Sequence, residues 1–190
     1  MPMKHIPEVV MYVTFDISQI PPEITRSDDL KTYVLLQTQG ESVELIESPR
    51  IALSMFIFNI IHSVCPEVVF RTNSGGRHII YDHQPETVIH PVGVNEALSV
   101  KQDFTSHETP QNNVEINLEE IWNSISDEKE DAKILRSLEK VKGEIRKTGK
   151  TTIIGDVPLL LILCAQHLVG HNSRQIFYKR NLSKEAKRIK

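Results

Sequence analysis

Two stretches of this chain are apolar on nearly every side, and shorter runs of β-branched and aromatic residues surround them. Residues 51–64 and 157–169 form the two hydrophobic blocks. A helix that is apolar all round has to be buried, so each block predicts a core helix. Both are interrupted and too short to cross a bilayer. Ser48 and Pro49 open the first block, Ser as an N-cap and Pro at the first helical position, and Pro66 ends it. Asp156, Val157 and Pro158 open the second, and Gly170 ends it.

The shorter runs predict strands at 9–17, 33–37, 42–46, 68–71 and 78–81, and again at 114–118, 151–154 and 175–178. Residues 19–29, with Pro21 and Pro22, read as a turn and a short helix start. Asn73-Ser74-Gly75-Gly76 reads as a hairpin turn. Residues 119–147 place Ile121, Ile125, Ile134, Leu138, Val141 and Ile145 at helical spacing among charges. That predicts an amphipathic helix or a broken pair of helices. Residues 82–112 are polar and weakly apolar, a linker with one short element near 95–100. The tail SKEAKRIK is basic and expected to fray.

The two halves share an order: strand, polar connection, strand, proline, buried helix, strand. His62 lies 13 residues after Pro49, and His171 lies 13 after Pro158. The expected fold is α/β, two strand–helix–strand units, Rossmann-like or ferredoxin-like, packed as a pseudo-duplicate. The units run 1–84 and 113–182, with a linker at 85–112 and a basic tail at 183–190. The repeat reads as incomplete, because the return strand of the first hairpin has no counterpart after the second unit.

Composition adds limits. The chain has 190 residues, 39% apolar and 25% charged, enough for a core without a metal or disulfide. Its formal charge of −3 argues against a general nucleic-acid coat, so no long nucleic acid is expected as a partner. A small anionic ligand on a few local donors stays open. Cys65 and Cys164 sit in apolar surroundings without a CxxC spacing, which reads as two buried thiols in a reducing compartment. No apolar run of signal-peptide length stands at residues 1–10, and a cytoplasmic protein with no membrane partner is expected.

Three groups carry candidate chemistry. His167 and His171 are four apart at a helix C-terminus, on one face, and such a pair can share a divalent metal, with a carboxylate from elsewhere completing the site. The alternative is a histidine pair placed there for the helix dipole. The turns around Ser48 and Arg50, and around Gly155 and Asp156, put backbone N–H groups at a helix N-terminus after a strand, where α/β proteins bind phosphate. Neither is a Gly-rich phosphate loop, and an ordinary βα turn explains both. The turn leading to Arg77 and His78 has the composition of a phosphate grip or of a plain hairpin.

The stretch IIGDVPLLLILCAQHLVGHNSRQIFYK resembles the core of the small CRISPR-associated type III ring nucleases, the compact manganese-dependent family that degrades cyclic tetra-adenylate. Members show a strand, a Gly-x-x-Pro turn, an apolar helix ending in histidines, and a strand. The counterparts here are Gly155, Pro158, His167, His171 and residues 175–178. The first half looks like the same unit, from Ser48-Pro49 through His62 to HIIYDH. The resemblance covers about 130 residues at low identity. It departs at Arg71 and Lys179, where the family tends to place an acid after the last aromatic strand position, and the histidines are fewer.

The resemblance implies a homo-oligomeric, cyclic-oligoadenylate-binding protein of antiviral defence that also hydrolyses the phosphodiester. It implies manganese or another divalent metal on His167 and His171. His62, His167 and His171 are then the catalytic candidates, as ligands or as general acid and base. Ser48, Arg50, Arg77, His78, Lys150, Gly155 and Asp156 are the candidates for holding the ligand. Two other readings stand beside it: a non-enzymatic sensor or adaptor that uses residues 119–147 as a partner face, and an unrelated nucleotide-binding module.

Overall fold

The computed structural model describes residues 11–82, 113–126, 129–182 and 184–190. The expected linker and its short element fall outside them, as do Val9 and Val10. The first half contains β1 (Val13–Phe15), α1 (Ser27–Thr38), β2 (Val43–Ile46), α2 (Ile51–Val64), β3 (Glu67–Arg71) and β4 (Arg77–Asp82). The second contains β5 (Asn113–Asn117), α3 (Leu118–Asn123), α4 (Glu130–Glu144), β6 (Thr148–Ile154), α5 (Leu159–Gly170), β7 (Ser173–Lys179) and β8 (Lys187–Arg188).

Each half makes one four-stranded sheet, in the orders β1-β2-β3-β4 and β5-β6-β7-β8. In both, the first three strands are parallel and the fourth returns antiparallel. The chain is therefore α/β with a duplicated plan. Strands laid side by side in chain order through right-handed crossovers put their helices on one face. α1 accordingly packs beside α2, and α4 beside α5.

The tail corrects two expectations. Residues 183–190 were expected to fray and to leave the repeat incomplete. Instead Phe177 pairs with Arg188 and Tyr178 with Lys187, and Ile189 is 3% exposed. One apolar side chain and one free strand edge are enough to recruit a basic tail, so β8 is the counterpart of β4. A further correction concerns residues 33–37, read as a strand from YVLLQ. They lie inside α1, where Leu30, Val34 and Thr38 are buried at spacings of four. Residues 119–147 resolve as the broken pair, α3 and α4.

α5 shows why its sequence is apolar throughout. Every residue from 159 to 169 is buried, Gln166 and His167 included. The helix packs on β6 and β7 of its own half and also touches α2 and β4 of the other. Gln166 Nε2 donates to the Met55 carbonyl of α2 at 2.9 Å, a polar tie across the seam.

Candidate functional site

The helices α2 and α5 end together. His62 sits in the last turn of α2, His167 in the last turn of α5, and His171 is the C-cap of α5. Their ring centroids lie 4.9 Å (His62–His167), 5.0 Å (His167–His171) and 5.9 Å (His62–His171) apart. One ring nitrogen from each falls within 4.8 Å of the others. A tetrahedral ion with Zn–N bonds near 2.0–2.1 Å needs nitrogens about 3.4 Å apart.

Two helix C-termini converge on this cluster. Each carries roughly half a negative charge on its last carbonyls, so the spot favours a cation. Three nitrogen donors and an electronegative backbone fit a divalent metal. An all-imidazole set suits zinc, nickel or copper better than manganese, which favours carboxylates. His167 is buried, and His62 and His171 are half-buried.

The sequence places the metal on His167 and His171 with a carboxylate to complete it, and gives His62 as a further ligand or acid–base candidate; among the described residues the third donor is His62, not a carboxylate. The structure brings all three together. The signal was present in the repeat: His62 and His171 are equivalent positions, and a pseudo-two-fold relation between α2 and α5 lets equivalent positions meet. Phe58 is in turn equivalent to His167, each nine residues after its proline. Their rings face edge to face at 6.5 Å. The duplicated plan thus offers four inward positions, of which three are histidine and one is phenylalanine.

A cavity of about 720 Å³ opens beside the cluster, with His62 and His167 in its wall. Its sides come from α1 and α2 in one half and from α5, β7 and the tail in the other. Lys31, Arg188 and Lys190 are its cations. Lys190 Nζ donates to the carbonyls of Gly170 and Ser173, at 3.0 and 3.2 Å. None of these three was singled out in the sequence, because their convergence depends on how the tail folds back.

The expected ligand-holding residues do not join the histidines. Ser48 and Arg50 lie at the other end of α2, where Ser48 Oγ accepts from the Arg50 N–H at 3.2 Å. Pro49 precedes the helix, and Arg50 is its N-cap. Gly155 and Asp156 occupy the matching turn before α5, and Asp156 pairs with Arg180 at 2.9 Å. Arg77 pairs with the buried Glu44 at 2.9 Å and lies over the Tyr12 ring. Lys150 lies over Phe177, 4.2 Å from the ring centroid. His78 is half-buried on β4. Arg71 and Lys179, the departures from the family pattern, approach Glu44 and Glu115 at 3.9 Å each.

Both cysteines are buried, and burial pushes the Cys164 thiol up to about 12. Neither is a nucleophile. No helix among the described residues is long and apolar enough to cross a membrane. No protein-family model, curated protein or solved structure matches the chain.

Proposed function

We propose that the protein holds a divalent transition-metal ion on His62, His167 and His171 and binds a phosphodiester ligand in the adjoining cavity. Cyclic oligoadenylate is the ligand that the ring-nuclease resemblance implies, and hydrolysis of its phosphodiester is the activity. One observation carries the reading: three imidazoles from two halves of the chain meet at two helix C-termini, beside a cavity lined by cations. Three protein ligands leave a position for a substrate oxygen. The ion supplies Lewis acidity there. Lys31 and Arg188 then offset the remaining phosphate charge.

The sensor reading has its own support. Among the described residues the cluster contains no carboxylate. Three metal-bound imidazoles leave no obvious general base, so binding without turnover is the second reading. Homo-oligomerisation and a place in type III CRISPR defence belong to the same proposal and rest on the resemblance alone.

The test begins with metal content after purification without chelators, then calorimetric titration with zinc and with manganese. One bound equivalent, with zinc tighter and binding lost in His167→Ala, is expected. Cyclic tetra-adenylate is then added to the loaded protein and the products are separated. Linear di-adenylate means a nuclease, and an intact ligand that raises the melting temperature means a sensor. No metal bound by any of the three histidines would sink the proposal.

A further inference from the structure

Three cavities along one side of α2 share their walls. Ser27, Phe56, Arg188 and Ile189, which line the cavity beside the histidines, also line a second of about 560 Å³. That one shares Arg50, Ala52, Leu53 and Lys187 with a third of about 490 Å³ at the N-terminal end of the helix. The three make one continuous groove. From His62 back to Arg50 it follows about 18 Å of helix, at roughly 1.5 Å per residue.

The groove is cationic along its whole length. Lys31 stands near the histidines, Arg26 and Arg50 follow, and Lys184 lines the far end. Lys187 and Arg188 contribute from the tail on the opposite wall. Among the described residues a single carboxylate side chain, Glu185, lines any of the three cavities. These six side chains are exposed, and Lys190 and Arg180 also line the first and third cavities. Arg26, Lys31, Arg50, Lys184 and Lys187 make no ion pair with a carboxylate among the described residues. In a chain of net charge −3 this is a local concentration of one sign.

The wall contributed by α2 is of another kind. Ala52, Leu53 and Phe56 present half-buried apolar surface between the charges, and Phe56 is shared by two of the cavities. Cations that track a backbone, with an aromatic ring between them, are what a single strand of nucleic acid requires: phosphates meet the cations and a base stacks on the ring. A simple polyanion has no use for the ring. At about 3.4 Å per stacked nucleotide, the groove holds roughly five, and fewer in an extended strand.

We propose that this groove binds a short single-stranded oligonucleotide, with a base stacked on Phe56 and one end directed at the three histidines. The proposal deepens the substrate class of the reading above, yet the groove stands on residues that are not metal ligands. It is tested by the anisotropy of fluorescein-labelled hexa-adenylate RNA on the full chain, in EDTA, across a salt series. Binding should weaken with salt at a log–log slope of about −2 to −3.5, which corresponds to three to five phosphates at about 0.7 each. Arg50→Glu/Lys187→Glu should weaken it at least tenfold and flatten the slope. Phe56→Ala should weaken it about tenfold at an unchanged slope.

Absence of binding at low salt, or unchanged binding in the charge-reversed variant, would overturn the groove. Inorganic polyphosphate that competes as well as RNA, with Phe56→Ala silent, would overturn the oligonucleotide assignment. A protein that binds RNA in EDTA but never takes up metal keeps this proposal and loses the metal site. One that takes up metal but ignores RNA does the reverse.

Discussion

At Gly155 the backbone has φ +140, and a Cβ there would lie 2.7 Å from the Glu119 nitrogen. Only glycine tolerates both the dihedral and the approach. The turn before α5 is thus built against the start of α3, and Tyr178 fastens it: its hydroxyl donates to the Gly155 carbonyl at 2.9 Å. Burial first, and Asp156 second, push the Tyr178 phenol up to about 12, while Arg180 pulls the other way. Such a group favours the fold below the unfolded-state value near 10, and its contribution is lost as pH rises through 12. Tyr178→Phe should therefore cost about 1–2 kcal/mol at neutral pH, for the lost hydrogen bond. It should also lose less stability than the parent between pH 10 and 12. Urea unfolding at pH 8, 10 and 11.5 checks both, and parallel decay of the two proteins would reject the assignment.

At the scale of elements, the two buried helices were the most legible part of the sequence, because an all-apolar block with proline before it has few other solutions. Only the start of α1 was legible, since YVLLQ carries strand-forming residues and the burial of Leu30, Val34 and Thr38 along one face decides for helix. His62 was legible as a candidate beside His167 and His171, but not its approach to them, because the crossing of α2 over α5 is a tertiary fact. That crossing makes Phe58 informative. It is 1% exposed, and it stands where the second half has His167. Phe58→His would offer a fourth imidazole and turn an open site into a closed tetrahedral one. Without metal the variant should melt lower than the parent, because a buried polar ring replaces an apolar one. With zinc the order should narrow or reverse, and the phosphodiester turnover proposed above should be lost. Melting curves with zinc and with EDTA decide, and a zinc-independent loss would mean that the cluster takes no fourth ligand from position 58.

For the whole molecule, the difference between the halves matters as much as their likeness. β4 runs from Arg77 to Asp82 and touches α5, whereas β8, its counterpart, has only Lys187 and Arg188. Residues of α1 and α2 and of the segment that carries β8 line the cavities of the groove. A basic octapeptide with one isoleucine gave little sign of this, since neither charge nor periodicity says that an edge is waiting for it. Removing residues 181–190 uncovers the β7 edge, takes Ile189 out of the core and frees the carbonyls that Lys190 caps. Losing one buried aliphatic side chain costs about 1.5–3 kcal/mol, and more with the strand pairing. At roughly 2–4 °C per kcal/mol for a chain of this size, the melting temperature should fall by about 5–10 °C. The three histidines remain, so one equivalent of zinc should still bind. RNA binding should vanish with Lys184, Lys187 and Arg188. Calorimetric melting, zinc titration and RNA anisotropy on the truncated chain read these separately. An unchanged melting temperature would mean that β8 is only loosely held, and retained RNA binding would move the ligand off the tail side of α2.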